Sequence, residues 1–313
     1  MTTTRLPQLE GERLITDGGL ETSLIFHDGL DLPAFAAFDV LKDDARTALL
    51  RRYYDQYAAI AGRYGVGLLL ESPTWRASSG WADATGYTPA EIDAVNRQAV
   101  ELMQEIARTH ADRVSPIVIS GCVGPEGDGY SPETMLSSDD AEQYHSRQIA
   151  ILADCGVDVV SALTMTYAEE AVGITRAARS AGVPVAISFT VETDGSLPSG
   201  QSLADAIAQV DAEAAGGPDY FMVNCAHPSH FAGVLTPDAP WLDRIRGIRA
   251  NASRMSHAEL DEATELDDGD PVELAAEYAA LNEVLSGLTV LGGCCGTDHR
   301  HVAEIAARWT QPA

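Results

Sequence analysis

Two adjacent cysteines stand among glycines near the C-terminus, in Leu291-Gly292-Gly293-Cys294-Cys295-Gly296-Thr297. The apolar run Leu288-Thr289-Val290-Leu291 leads into them and reads as a buried strand running into a flexible turn. Neighbouring cysteines strain any disulfide between them. Two thiolates on one turn, joined by a third from elsewhere, instead make a soft-metal site. Cys225 ends another apolar run, Tyr220-Phe221-Met222-Val223-Asn224, and is the third candidate. The chemistry implied is a zinc ion held by Cys225, Cys294 and Cys295 with its fourth position open. A closed structural site would need another ligand, for which His227 is the nearest candidate. Three protein ligands and an open position is the catalytic pattern. A thiol entering that position loses its proton and becomes an electron-rich sulfur able to attack carbon. Hydrolytic zinc sites use histidine and carboxylate ligands and bind water, so the sulfur-rich set points to thiol alkylation.

Such ligands need elements that bring strand ends together. Short β-rich runs alternate with helical periods along the chain: Leu14-Ile15-Thr16, Gly67 to Glu71, Ile117 to Ser120, Val157 to Ser161, Val185 to Phe189, Tyr220 to Asn224, Ile245 to Arg249 and Leu288 to Leu291. Helices are expected over about 45–63, 89–110, 139–155, 168–180, 203–215, 271–285 and 299–309, with Ser138 and Gly182 as cap signals. Eight strand–helix units predict a parallel sheet closed into a single (β/α)8 TIM barrel over residues 1–313; a doubly wound open sheet is the alternative. In a barrel the active site lies at the C-terminal ends of the strands, where Asp17, Glu71, Asn224 and the three cysteines all fall. The charged stretch 261–270 reads as a solvated loop. Cys122 and Cys155 read as packing residues, and His299 and His301 as surface residues.

The 313 residues carry 45% hydrophobic content and a formal charge of -27. That is enough apolar material for a large core, and the acidic balance argues against nucleic-acid or anionic-membrane partners. Five cysteines do not form a secreted disulfide framework. No signal-type or membrane-spanning apolar run is present, and a cytoplasmic location is expected. Oligomeric state is not legible.

The chain resembles the homocysteine S-methyltransferase family. The matching pieces are Asp17-Gly18-Gly19-Leu20, Glu71-Ser72-Pro73-Thr74-Trp75-Arg76-Ala77-Ser78, Gly121-Cys122-Val123-Gly124-Pro125, Ser188-Phe189-Thr190, Asn224-Cys225 and Gly292-Gly293-Cys294-Cys295-Gly296. The resemblance implies a barrel in which Cys225, Cys294 and Cys295 bind zinc and Asp17 helps hold the ammonium of the acceptor. It implies methyl transfer from a small donor to homocysteine, giving methionine. Residues expected at the substrate site are Asp17, Gly18, Gly19, Glu21, Glu71, Thr74, Trp75, Thr164, Glu192 and Asn224. One departure stands out: Leu163 occupies the end of strand four, where the family usually places a glutamate that anchors the ammonium. Glu21 or Glu192 could supply the missing charge, or the acceptor could be another small thiol or selenol. A zinc-dependent thiol-binding protein without turnover is a further alternative. With no corrinoid or folate module expected, the donor class is a small onium such as S-methylmethionine, S-adenosylmethionine or a betaine. Trp75, Trp81 and Tyr87 could present aromatic faces to its charge, or could simply pack their loop.

Overall fold

A computed structural model describes residues 5–132 and 134–311. Eight parallel strands close into a barrel in chain order: β1 (Leu14–Ile15), β2 (Gly67–Glu71), β3 (Ile117–Val123), β4 (Val159–Met165), β5 (Val185–Phe189), β6 (Tyr220–Asn224), β7 (Ile245–Ala250) and β8 (Val290–Gly293). The longer helices between them are α1 (Asp44–Tyr64), α2 (Pro89–His110), α3 (Ser138–Asp154), α4 (Ala168–Ala181), α5 (Leu203–Glu213), α6 (Pro271–Val284) and α7 (His299–Trp309). Closure is made by β1 against β8, with Leu14 beside Val290 and Ile15 beside Leu291. That pairing excludes the open sheet.

The strands are apolar on both faces because helices cover the outside and other strands face them inside. Leu14, Leu69, Val118, Val159, Ala186, Tyr220, Met222 and Val290 fill the lower interior. Their outward neighbours, such as Leu68, Leu70 and Val160, pack under the helices. Two residues further along the inward face the layer turns polar: Glu71, Ser120, Ser161, Ser188 and Arg249 are all buried there. This layer is the floor of the site.

Three details differ from the sequence reading. Between β6 and β7 there is only the single turn Pro228–Phe231 followed by 3₁₀ turns, so that unit lacks a full helix. The N-cap of α3 is Ser137, whose hydroxyl accepts from the Asp140 amide at 3.2 Å, and Ser138 is the first helical residue. His301 is fully buried, not on the surface: its Nδ1 accepts from the Asp298 amide at 3.1 Å, and its Nε2 donates to the Asp268 carbonyl at 2.8 Å. That bond, with Ser253 Oγ donating to Asp267 at 2.6 Å, ties part of the acidic 261–270 stretch down onto the barrel mouth.

Candidate metal centre and acceptor cavity

The turn after β8 is shaped by its glycines and by Thr297. The Thr297 amide and hydroxyl both donate to the Cys294 carbonyl, at 3.1 and 2.7 Å, and Gly296 takes the left-handed conformation (φ 78°). The turn lies so close to the β1 loop that a Cβ on Gly19 would sit 2.7 Å from the Cys294 carbonyl oxygen. Tyr278 on α6 bridges the ends of β7 and β8, accepting from the Ala250 amide and donating to the Gly292 carbonyl.

Cys225 is placed by a strained backbone. Its φ is 53°, unfavourable for a residue with a Cβ. The strain is held by its amide, which donates to Arg249 O at 3.1 Å, and by its carbonyl. That carbonyl accepts from Asn251 Nδ2 at 3.0 Å and His257 Nε2 at 2.7 Å. Thr164, at the end of β4, is also left-handed (φ 65°). Asn224 clamps it in both directions: the Thr164 amide donates to Asn224 Oδ1 and Asn224 Nδ2 donates to Thr164 Oγ1, each at 2.9 Å.

The three sulfurs lie within 4.8 Å of one another, half-buried or buried, and form the only such ligand group among the described residues. Cys225 and Cys294 bring their sulfurs into contact across 69 residues of sequence. Each sulfur has one polar hydrogen in reach: Thr164 Oγ1 at 3.7 Å from Cys225, Asn224 Nδ2 at 3.9 Å from Cys294, and Tyr130 Oη at 3.7 Å from Cys295. Burial pushes the Cys295 thiol up to about 11, so without a cation it stays protonated at neutral pH. A soft divalent cation fits this set: three convergent sulfurs, each with a donor to stabilise a thiolate. His227 does not join them. Its Nδ1 accepts from the Ser229 amide as the cap of Pro228–Phe231, and its Nε2 lies 3.1 Å from Glu277.

The sulfurs open onto a cavity also lined by Asp17, Gly18, Gly19, Glu21, Glu71, Trp75, Leu163, Thr164, Asn224 and Arg249. Arg249, at the end of β7, was not legible as a site residue. Its Nη2 donates to Asp17 Oδ1 at 2.5 Å, its Nε to the Gly293 carbonyl, and its Nη1 lies 3.5 Å from Glu71 Oε1. The second Asp17 oxygen accepts from Tyr53 Oη at 3.1 Å. Asp17 thus faces the cavity with both oxygens already engaged. Burial nevertheless pushes its carboxyl up, against the pull of Arg249. Glu71 is pushed up to about 7 by burial, again opposed by Arg249. Glu21 also reaches about 7, through burial with a further contribution from the nearby Asp17 charge.

The remaining expected residues scatter. Thr74 is buried away from the cavity, donating to the Cys122 carbonyl at 2.7 Å. Glu192 lies outside the cavity lining, with Oε1 3.3 Å from His257 Nδ1. Trp81 packs against the Arg76 guanidinium, and Tyr87 donates to Asp39 at 2.9 Å. Of the three loop aromatics, Trp75 alone reaches the cavity. Cys122 packs within the barrel and also touches the cavity, its thiol held well up by burial. Tyr130, in the β3–α3 loop, had no signal in the sequence. It stacks on His257 at 4.1 Å and lines both the cavity and an outer chamber walled by Phe26, Phe35, Trp75, Asp128, Asp261 and Asp267.

Residues 14–309 match the family model described as homocysteine S-methyltransferase. The chain belongs to the homocysteine S-methyltransferase family. It is 24% identical to Homocysteine S-methyltransferase 4 of Zea mays over 93% of this chain and 88% of that one. It is likewise 24% identical to the Selenocysteine Se-methyltransferase of Brassica oleracea var. italica over 95% and 89%. Among solved structures, the metallated homocysteine methyltransferase MmuM of Escherichia coli superposes with a TM-score of 0.73 at 19% identity, covering 98% of this chain and all of that one, a likeness of fold. As a methyltransferase of this family, the chain places its cysteine cluster at the C-terminal ends of β6 and β8, the face on which barrels carry their chemistry.

Proposed function

We propose that this chain is a zinc-dependent S-methyltransferase that moves a methyl group from a small onium donor to the thiol of homocysteine, giving methionine. The observation that carries the reading is the convergence of Cys225, Cys294 and Cys295 on one cavity, each with its own hydrogen-bond donor. Cys225, Cys294 and Cys295 would hold the zinc. When bound, the ion supplies the positive charge that lets an acceptor thiol ionise at neutral pH. The chain's own residues do the rest. Thr164, Asn224 and Tyr130 keep the sulfurs in place, while Leu163, Leu20 and Trp75 keep the cavity wall apolar around the acceptor.

The donor would enter through the outer chamber. Its faces are Phe26, Phe35, Trp75 and Tyr130, and its carboxylates are Asp128, Asp261, Glu265 and Asp267, a lining that suits a cation. Arg76, which also lines this chamber, is stacked on the Trp75 ring at 4.0 Å with Nη1 donating to the Gly127 carbonyl. In the transfer the acceptor sulfur attacks the methyl carbon, the carbon–onium bond breaks opposite it, and the electron pair stays with the departing donor. The thiol proton goes to water.

A selenol acceptor is the second reading, favoured by the Brassica relative's named activity. Thiolates must stay reduced for this chemistry, which supports a cytoplasmic location and small-molecule partners. We read residues 1–313 as one domain serving this site.

The test uses the full chain, reduced, loaded with zinc and freed of excess ion. About one zinc per chain, lost in Cys225→Ser and Cys294→Ser, and labelled methyl appearing on homocysteine with one of the onium donors is the expected result. Full zinc occupancy with no methylated product from any donor, on either homocysteine or selenocysteine, would leave a thiol-binding protein and sink the enzyme reading.

A further inference from the structure

His257, in the β7–α6 loop, is 5% exposed and lines neither the cavity nor the outer chamber. It opens the helical turn His257–Asp261, whose start is fixed by a capping box: the Ser256 hydroxyl accepts from the Glu259 amide at 3.3 Å, and Glu259 accepts from the Ser256 amide at 2.8 Å. Three other elements meet its ring. At one edge Nε2 donates to the Cys225 carbonyl at 2.7 Å, with Thr190 Oγ1 3.4 Å away. At the opposite edge Nδ1 lies 3.3 Å from Glu192 Oε1. One face carries the ring of Tyr130, with centroids 4.1 Å apart and planes 26° from parallel. The Tyr130 hydroxyl in turn lies 3.7 Å from Cys295 Sγ. A single side chain thus touches the supports of two sulfurs that enter from different strands.

Both supports need holding. Cys225 has a φ of 53°, which a residue with a Cβ keeps only where its surroundings over-determine it. If that backbone relaxes, the Cβ swings and carries the sulfur out of the cluster. Of the bonds that grip the Cys225 peptide groups, the one from His257 is the shortest, at 2.7 Å against 3.0 Å from Asn251 and 3.1 Å to Arg249. Tyr130 belongs to a loop, and its hydroxyl stays beside Cys295 only while its ring is seated. Groups that orient metal ligands matter nearly as much as the ligands, and losing one lowers metal affinity by about tenfold to a hundredfold.

We propose that His257 is a positioning residue of the metal centre: its Nε2–H fixes the backbone that aims the Cys225 sulfur, and its ring seats Tyr130 beside the Cys295 sulfur. This rests on the reading of the cysteine cluster as a zinc site. His257 is not a ligand, since Nε2 is committed to a carbonyl and the ring stands behind the sulfurs rather than among them. Convergence of the cluster is thereby set from the β7–α6 loop, the same loop that walls the outer chamber through Asp261 and Asp267.

The experiment measures zinc affinity by competition with a chromogenic chelator, and the thiolate-to-metal and d–d absorption of the cobalt(II) form, on the full reduced chain. The variants are His257→Ala, His257→Gln, which keeps an N–H near the Nε2 position but no ring, and His257→Phe, which keeps a ring but no donor. We expect His257→Ala to weaken zinc at least about tenfold and to shift the cobalt bands. His257→Gln should recover most of the affinity, and His257→Phe should not. Tyr130→Phe should weaken zinc in the parent chain but add nothing in His257→Ala, where the hydroxyl is no longer seated. Should His257→Ala fail to fold, the contrast between Gln and Phe carries the test, with Tyr130→Phe then made in His257→Gln. Parent-like affinity and cobalt spectrum in all the His257 variants, or His257→Gln no better than His257→Phe, would overturn the positioning role while the zinc reading stands. A parent chain that takes up neither metal overturns both.

Discussion

At the residue scale the site is a row of charges, Asp17–Arg249–Glu71, buried beneath three sulfurs. Removing such charges from water is expensive, and the pairings around Arg249 only partly offset it. Glu71 shows the cost as a carboxyl raised from an ordinary 4.5 to about 7, mainly by burial. Between those two values the folded chain holds a proton that the unfolded chain has released. This contribution to stability therefore declines as pH rises from 4.5 to about 7 and is constant above. Glu71→Gln removes it. In the metal-free chain, the stability of the variant relative to the parent should rise across that window, by on the order of 3 kcal/mol if the full rise is realised. Urea unfolding at a series of pH values measures it, and a difference that stays constant with pH would show that Glu71 does not titrate in this way. Glu21, raised alike, is present in both proteins and cancels.

At the scale of elements, what matters is how loops carry side chains over the sulfurs. The β3–α3 segment brings Tyr130 to Cys295, and it is tied down from below by α4. Glu170 Oε1 accepts from the Glu126 amide at 2.7 Å and from His145 Nε2 at 2.9 Å, with both side chains buried. Tyr167 Oη accepts from the Leu136 amide at 3.0 Å, fixing the other end. Glu170→Ala leaves a part-buried amide and a buried imidazole without this partner, which costs about 2 kcal/mol. We expect faster amide exchange confined to residues 124–137, unchanged zinc content and several-fold slower methyl transfer. Hydrogen exchange followed by mass spectrometry tests this; unaltered exchange in that segment would mean that Glu170 does not hold the loop. The 261–270 stretch teaches the same lesson. It is the solvated loop its charges suggested, with none of its residues buried, and Asp267 and Asp268 are bonded back to Ser253, Arg300 and His301, so its inner edge also forms part of the chamber wall.

At the scale of the whole molecule, 47 acidic residues face 20 basic ones, a charge of -27. With so large an excess of one sign, the compact state carries a repulsion that the expanded chain relieves. Sodium chloride should therefore raise the melting temperature of the metal-free chain between low salt and about 0.5 M. A melting temperature that falls would show that the surface ion pairs, such as Arg147–Asp93 and Arg244–Asp211, outweigh the net repulsion. No described helix is long and apolar enough to cross a membrane.

The barrel and its sulfurs were legible because they depend on local signals. Apolar runs of strand length alternate with capped helical periods, and Gly292, Gly293 and Gly296 around the cysteine pair announce a turn that delivers two sulfurs together. Cys225 was found because it ends a strand, and strand ends in a parallel barrel share one face. Details hidden in the sequence depend on which distant side chains meet. Nothing local shows that Asp17 would be engaged by a residue 232 positions away, that Tyr130 would settle over Cys295, or that Thr74, Trp81 and Tyr87 would pack rather than line the mouth. Sequence by itself determined the alternation of strands and helices and the strand ends at which metal ligands were expected, since periodicity and turn chemistry are properties of neighbouring residues. Only the closed barrel decided the charge pattern of the cavity, because β1, β2 and β7 bring Asp17, Glu71 and Arg249 into one buried layer where each changes what the others can bind.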